Sequence, residues 1–220
     1  MPPWSLRPYL PEDRDQVRRI CFLTGYMGEP VDWLWRDEQS FADLFSGYWT
    51  DEEPESALVL EMEGRVCGYL LGCADTARVP SPARLLARHA LGRLLVLRPG
   101  TAGVLWRSAL DLALDALAGR GGPPRPFTDR RWPAHLHIDL LPEARGMGAG
   151  RAMVAAWLDQ LRSRSCPGCH VETLAENAPA VSFFASCGFQ PHGQARLVPG
   201  WRDRDTGGRL HLLRMVKGLG

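Results

Sequence analysis

Three glycines and two arginines stand at the start of a helical pattern in the stretch LLPEARGMGAGRAMVAAWLDQL, residues 140–161. Gly146, Gly148 and Gly150 alternate along the chain, and Arg145 and Arg151 flank them. The first N–H groups of a helix have no partner within it, and the helix dipole adds partial positive charge there. Glycines let an anion approach this backbone closely, and arginines add charged hydrogen bonds. The pattern favours a phosphate or pyrophosphate site; the alternative is a loop whose glycines only turn and pack.

Two other nucleotide-binding patterns fit this loop less well. A P-loop requires Gly-Lys-Ser/Thr, and this stretch contains no lysine. A dinucleotide-binding loop requires G-x-G-x-x-G, and here Met153 or Arg151 stands where the third glycine belongs. Glu172 lies at a suitable distance for a ribose contact. However, too few residues follow it to complete a doubly wound sheet, so this interpretation ranks lower.

Composition and charge indicate which classes of protein the chain can belong to. The 220 residues, 45% apolar and 23% charged, indicate one globular domain over 1–220 with its own core. A formal net charge of +1 implies no general attraction to nucleic acid or to an anionic membrane. No apolar run is long enough for a membrane span, and the N-terminus lacks the apolar core of a signal peptide. We therefore expect a cytoplasmic protein with six free thiols, in which the CPGC at 166–169 forms a turn rather than a metal site.

Periodicity and turn residues predict mixed helices and strands. A strand at 5–9 is followed by helices at 11–25 and between Val31 and Tyr48, and by a hairpin at 57–75 that turns at Glu63-Gly64. Residues 76–133 form a helical insertion that ends in a loop rich in Pro and Gly. Strands are then expected at 134–142 and 170–175, a helix at 148–164, a short helix after Asn177 and a terminal hairpin.

Several segments together resemble a known family. Arg145, Gly148 and Gly150 match the R/Q-x-x-G-x-G/A signature of the GNAT superfamily of acyl-CoA-dependent N-acetyltransferases. The segment NAPAVSFFASCGF, residues 177–189, is similar to the second conserved block of that family. More narrowly, GRVCGYLLGCAD, the insertion and LHIDLLPEARG resemble the acetyltransferase-like C-terminal domain of O-GlcNAcases and its free-standing bacterial relatives.

The resemblance implies an α/β (α+β) fold: a mixed, mostly antiparallel sheet with a splayed parallel strand pair, helices on both faces, and the insertion before the fourth main strand. It implies acetyl-CoA as the cofactor, with its pyrophosphate on the backbone of residues 146–151 and its pantetheine arm along the strand that contains Leu140 and Leu141. The cofactor-binding residues so implied are Leu140, Leu141, Arg145, Gly146, Met147, Gly148, Ala149, Gly150, Arg151, Asn177 and Phe184.

Acetylation of an amine requires a general base, because most alkyl amines are protonated at neutral pH. His135, His137 and Asp139 share one face of the strand that leads into the glycine loop. Asp139 lies closest to the loop and is the first candidate, His137 has the better intrinsic pKa, and Asp75 is third. A polar strand face whose side chains are satisfied by hydrogen bonds explains each residue at least as well.

Phe184 stands where many relatives have a tyrosine that can protonate the departing thiolate. An acid helps such a leaving group but is not obligatory. This departure keeps open a second function, a non-catalytic module that binds acetyl-CoA or a peptide.

The acceptor, a small molecule or a protein amine, has no motif that identifies it. Arg84 and Arg88, one turn apart in the insertion, with His89 and Arg93, suit either an acidic substrate or, more simply, a solvated basic face.

Overall fold

The computed structural model describes residues 3–79, 95, 100–120 and 126–220. Its strands form one sheet in the order β1-β2-β3-β4-β5-β8-β6, and β7 pairs with β8. Among the strands of the described residues, only β4 and β5 run parallel, and every other pairing is antiparallel. The strands are β1 (Ser5–Pro8), β2 (Ala57–Met62), β3 (Arg65–Cys73), β4 (Ala134–Leu140), β5 (Gly168–Leu174), β6 (Gln190–Pro191), β7 (Arg196–Arg202) and β8 (Arg209–Gly218).

Helices cover both faces of this sheet. Their bounds are α1 (Arg14–Thr24), α2 (Glu38–Phe45), α3 (Gly47–Glu52), α4 (Ala102–Leu117), α5 (Ala149–Ser163) and α6 (Ala178–Ser186). One buried cluster joins α1 and α2 to the face that contains Tyr69 and Leu71. A second cluster joins α5 and α6 to the opposite face, around the fully buried Trp157. The mixed sheet with helices on both faces confirms the predicted fold class.

The parallel pair β4–β5 opens soon after it begins. Its only paired positions are Ala134 with Cys169 and His135 with His170. From Leu136 to Leu140, β4 keeps its antiparallel pairing with β3 but has no register partner on β5. The expected splay of this strand pair is therefore present, and it leaves one edge of β4 unpaired in the middle of the sheet.

The second predicted helix differs from the structure. Residues 32–34 form turns, and the helical chain is divided into α2 and α3. Asp37 caps α2 by accepting a hydrogen bond from the Ser40 N–H, which fixes a helix start there. The aromatic residues of this segment, among them Trp35 and Phe41, pack in the core.

Part of the predicted insertion lies outside the described residues, including Arg84, Arg88, His89 and Arg93. Its described portion contains a short 3-10 helix, Thr76–Arg78, and the long helix α4. Helix α4 packs on β7. Within the described ranges, no helix is both long enough and apolar enough to cross a bilayer.

Candidate active site

The glycine loop leads directly from the end of β4 into α5. Gly146 and Gly148 have φ angles of 76° and 78°, a region that glycine adopts without strain. A Cβ atom added to either residue would meet no atom within 4 Å, so the outer surface of the loop is open. At Gly150 an added Cβ would lie 3.3 Å from both Leu140 Cδ1 and Phe183 Cζ. The first two glycines shape an open turn, whereas the third lets α5 pack closely.

The start of α5 leaves backbone donors free. Gly148 is the N-cap residue and provides no side-chain cap. The first helical hydrogen bond runs from the Ala152 N–H to the Gly148 carbonyl, at 3.1 Å. The N–H groups of residues 149–151 therefore precede the helical ladder and point out of its positive end. This geometry suits an anion bound by backbone alone.

The two flanking arginines hold the loop in place. Arg145 donates through Nε to the Leu140 carbonyl at 2.9 Å and through Nη2 to the Gly28 carbonyl at 2.6 Å. Arg151 donates to the carbonyl and the hydroxyl of Ser186, at 2.9 and 3.1 Å. Both guanidinium groups are thus engaged with protein oxygens, and the backbone is the freer donor in this loop.

Beside the loop, the unpaired edge of β4 offers further backbone donors. The Leu141 N–H donates to the Cys67 carbonyl at 2.9 Å, and the Leu141 carbonyl accepts from the Ala144 N–H at 2.9 Å. Because backbone groups alternate direction along a strand, those of Leu140 and Ile138 point toward the gap between β4 and β5. The backbone groups that face the gap are therefore those of Leu140 and Ile138 rather than those of Leu141. The sequence did not single out Ile138.

Asp139 and His137 lie together on the α1 side of β4. Asp139 Oδ2 accepts from the Tyr69 hydroxyl at 2.5 Å and lies 3.0 Å from His137 Nε2. Tyr69 is the register partner of Asp139 on β3, and it is fully buried. Antiparallel partners share a face of the sheet, which explains why these side chains meet. Sequence analysis missed Tyr69, because only the strand register identifies it as a partner.

The Asp139 carboxylate controls the charge of His137. Burial lowers the pKa of His137, but the adjacent Asp139 charge and hydrogen bond raise it more, to about 10. Since 33% of the His137 side chain is exposed, solvent screens this pair in part. Burial and the same carboxylate raise the pKa of Tyr69 well above its ordinary value. At neutral pH, His137 is therefore protonated and Tyr69 is a neutral hydrogen-bond donor.

His135 has the opposite character, although it lies on the same face. Burial, followed by the neighbouring His170, lowers the pKa of His135 well below its ordinary value. Their ring centroids are 5.0 Å apart. His170 Nδ1 lies 2.9 Å from the Trp132 carbonyl, and burial lowers its pKa as well. Both imidazoles are neutral at pH 7, so the same strand presents one cationic and one neutral histidine.

Three other predicted residues have local structural roles. Asp75 caps the short 3-10 helix by accepting from the Ala77 N–H at 3.0 Å, beyond the end of β3, and makes no recorded contact with Asp139. Asn177 caps α6 by accepting from the Ala180 N–H at 3.2 Å. Phe184 is 5% exposed and packs between aromatic rings in the α6 core. The structure therefore brings His137 together with Asp139 but leaves Asp75 apart.

The cysteines do not form an obvious second site. All six are free thiols, and Cys169 of the CPGC segment is buried. No group of three or more potential metal ligands was found in the described part of the chain.

Comparison with protein families matches residues 100–189 to the model of the acetyltransferase (GNAT) family. This segment contains the glycine loop, β4, β5 and α6, which form the open gap.

Solved structures extend the likeness over the whole chain. The crystal structure of SsHAT has a TM-score of 0.65 and 26% identity, with full coverage of both chains. The yncA protein from Salmonella typhimurium, solved with its cofactor acetyl-CoA, has a TM-score of 0.57 and 16% identity over 99% of this chain and 95% of its own. A ribosomal-protein-alanine N-acetyltransferase from Brucella melitensis has a TM-score of 0.55 and 20% identity over 97% of this chain and 99% of its own. Residues 100–189 thus match the acetyltransferase (GNAT) family, and the whole chain has the GNAT acetyltransferase fold.

Proposed function

We propose that the chain transfers acetyl from acetyl-CoA to an amine by direct attack, with the donor in the β4–β5 gap and Asp139 as the general base. The observation that carries this proposal is the juxtaposition of two open backbone features. The pairing of β4 with β5 ends at His135–His170, and the same strand then enters an uncapped helix through Gly146 and Gly148. A phosphate group and an extended arm each find free N–H donors there.

The residues present fit acetyl-CoA. The N–H groups of residues 146–151 would hold its pyrophosphate, since the loop surface is open and lacks a side-chain cap. The Leu140 N–H and the backbone groups of Ile138 would hold the pantetheine arm, since they face the gap, whereas the Leu140 carbonyl already accepts from Arg145. When bound, acetyl-CoA supplies an acetyl group activated as a thioester. A β4 N–H that faces the gap also provides a donor for negative charge on the acetyl oxygen.

Asp139 is the proton acceptor that this geometry favours. An ammonium acceptor must lose a proton before its nitrogen can attack. His137 already carries a proton at neutral pH, so the Asp139 carboxylate is the member of the pair that can still accept one. Tyr69 and His137 both donate to Oδ2, which fixes the carboxylate on the strand and leaves Oδ1 without a recorded partner in the described part of the chain. Tyr69 is therefore a positioning residue.

A second function remains as the alternative because of Phe184. This buried side chain has no hydroxyl with which to protonate a departing thiolate, and its neighbours Phe183 and Phe189 are also apolar rings. A module that binds acetyl-CoA or a peptide without turnover would require the loop and the gap but not Asp139. The two functions differ in whether free thiol is released.

Thiol release from acetyl-CoA with a broad panel of amines tests the proposal. We expect a rate above buffer for at least one amine, and we expect Asp139→Asn to lower that rate by about 100-fold while cofactor binding is kept. Asp159→Asn is the matched control, because Asp159 is a 73% exposed side chain on the outer face of α5. Full activity of Asp139→Asn would contradict its role as base. Tight acetyl-CoA binding without turnover for any amine would favour the binding module.

The proposal also includes a narrower family relationship and a cellular location. GRVCGYLLGCAD and LHIDLLPEARG support a relationship to the acetyltransferase-like C-terminal domain of O-GlcNAcases and its bacterial relatives. A cytoplasmic location rests on the sequence expectation alone, as does the absence of nucleic-acid and membrane partners.

A further inference from the structure

A cavity of about 340 Å³ lies beside β7 and β8, away from the glycine loop. Its lining includes two arginines, an aromatic ring and a carboxylate, and consists of Pro126, Phe127, Thr128, Asp129, Arg196 and Arg214. We call it the arginine cavity. None of its residues has a role in the site described above.

The arginine cavity opens on the same sheet face as Asp139. His170 pairs with His135 and shares its face, and Glu172 follows two residues later on that face. Arg214 is the register partner of Glu172 on β8. Arg196 pairs with Leu212, which lies two residues from Arg214, so it too projects on this face. Asp139, Arg196 and Arg214 therefore project from one face of the sheet.

Aromatic contacts join the arginine cavity to the strand pair. The Phe127 ring centroid lies 4.8 Å from that of His170, and His170 lies 5.0 Å from His135. His135 is the last β4 residue paired with β5 before the gap opens. A chain of edge-to-face and tilted ring contacts therefore links the arginine cavity to the start of the gap, and such rings suit an apolar or aromatic body.

The arginine cavity contains guanidinium N–H groups that are available to bind a ligand. Arg214, 13% exposed, donates through Nε and Nη2 to one oxygen of Glu172, at 3.0 and 2.5 Å, and stacks 4.0 Å over the Phe127 ring. Its Nη1 makes no hydrogen bond with any residue that the structure describes. Arg196 is exposed and has no ion pair within those same ranges. Asp129 is held by Arg131 through two hydrogen bonds, which offset its charge.

We infer that the arginine cavity binds an anionic group, a carboxylate or a phosphate, carried on an apolar or aromatic body by the acceptor whose amine reaches the β4–β5 gap. This inference rests on the proposed acetyltransferase function for the role of the amine, but not for the binding of the anion. Arg196 and the free Nη1 of Arg214 form charge-assisted hydrogen bonds to that group. The Phe127 ring, already stacked under Arg214, contacts the body of the acceptor.

Calorimetric binding of phenyl phosphate, in the absence of acetyl-CoA, tests the anion site directly. We expect phenyl phosphate to bind and phenol not to bind. Arg196→Gln should weaken binding roughly tenfold, as expected for the loss of one charge-assisted contact. Arg196→Lys should weaken it less, because the charge is kept. Arg65→Gln, at an exposed arginine that begins β3, is the control and should bind as the unmodified chain does. Benzoate in place of phenyl phosphate distinguishes a carboxylate from a phosphate preference.

Equal affinity of Arg196→Gln and the unmodified chain, or equal affinity for phenol and phenyl phosphate, would overturn the inference. A kinetic comparison then tests the link to transfer. Omega-amino carboxylates should show a lower KM than alkylamines of the same length, and Arg196→Gln should raise KM for the carboxylates more than for the alkylamines. An equal rise for both would overturn the acceptor role. If phenyl phosphate binds and Arg196→Gln weakens that binding, but no amine releases thiol, the acetyltransferase function fails while the anion site in the arginine cavity stands.

Discussion

At the scale of single residues, the His137–Asp139 pair sets the charge at the centre of the site. The two side chains lie 3.0 Å apart, and Tyr69 donates to the same carboxylate oxygen. Burial alone would keep His137 neutral, as it does His135, two residues earlier on the same strand. The carboxylate reverses that effect, so one strand face holds a proton at a fixed place beside the gap.

The stability of the chain should report this ion pair as a function of pH. His137 has a folded pKa of about 10, above its ordinary value of 6.5. Its contribution is therefore fully present below pH 6.5 and is lost as the pH rises through about 10. We expect the melting temperature of the unmodified chain to exceed that of Asp139→Asn most at pH 6.5 and below, with a difference that shrinks toward pH 10. For Asp159→Asn the difference should stay flat. A melting-temperature difference between the unmodified chain and Asp139→Asn that increases with pH would contradict the protonation assigned to His137.

Part of this residue cluster was predictable from the sequence. Alternation along AHLHIDL placed His137 and Asp139 on one face, because side chains alternate with a period of two. Tyr69 was not predictable, since its position opposite Asp139 depends on the register of β3 and β4. Similarly, the glycine pattern located the anion loop, but it did not show that Arg145 and Arg151 bind carbonyl oxygens.

At the scale of elements, α4 is fixed to the β7–β8 hairpin by two buried ion pairs. Asp111 accepts from Arg202 at 2.7 and 2.8 Å and from the Gly200 N–H at 2.8 Å. Asp115 accepts from Arg209 at 2.6 and 2.8 Å. The same hairpin supplies Arg196 and Arg214 to the arginine cavity, so these pairs set where the insertion and the cavity wall lie.

Asp111→Ala should be strongly destabilising because it leaves the part-buried Arg202 and the Gly200 N–H without their shared partner. We expect a loss of about 3 kcal/mol in the free energy of unfolding by denaturant titration, as for other broken buried pairs. Asp159→Ala, which removes an exposed pair with Arg162, should cost less than about 0.5 kcal/mol. Hydrogen bonds from Arg202 lower the pKa of Asp111 to about 2, so its contribution is present above pH 3.8 and is lost as the pH falls through about 2. Equal losses of unfolding free energy for Asp111→Ala and Asp159→Ala would contradict the role of the Asp111–Arg202 pair in fixing α4 to the hairpin.

The elements were predicted better than their boundaries. Strong periodicity located β2, β3, β4 and α5, whose patterns are long and consistent. The segment 31–48 was predicted as one helix, but the Asp37 cap begins a new helix within it. The terminal hairpin was predicted without the ends of its strands, and the structure ends β7 at Arg202 and begins β8 at Arg209. Local caps and turns decided these boundaries, and the hydrophobic pattern does not contain them.

At the scale of the whole molecule, the splayed sheet separates two approaches to one gap. The glycine loop and α5 lie at the end of β4, where the donor is expected. The α1 and α2 helices, the Asp139 cluster and the arginine cavity share one sheet face, from which the acceptor is expected. The separation of β4 from β5 allows the donor and the acceptor to meet, since a fully paired strand would have no free backbone groups in the centre of the sheet.

Calorimetric titration of acetyl-CoA into the unmodified chain and into Gly148→Val tests the central claim most directly. Valine at φ 78° is strained, and its side chain would occupy the open surface where the anion is expected. Gly64→Val is the matched control, because Gly64 has a φ of 74° and equally open surroundings in the β2–β3 turn. With all three proteins shown to be folded by circular dichroism, we expect binding by the unmodified chain and by Gly64→Val, and none by Gly148→Val. Unchanged affinity of a folded Gly148→Val variant would contradict the assignment of the glycine loop to acetyl-CoA.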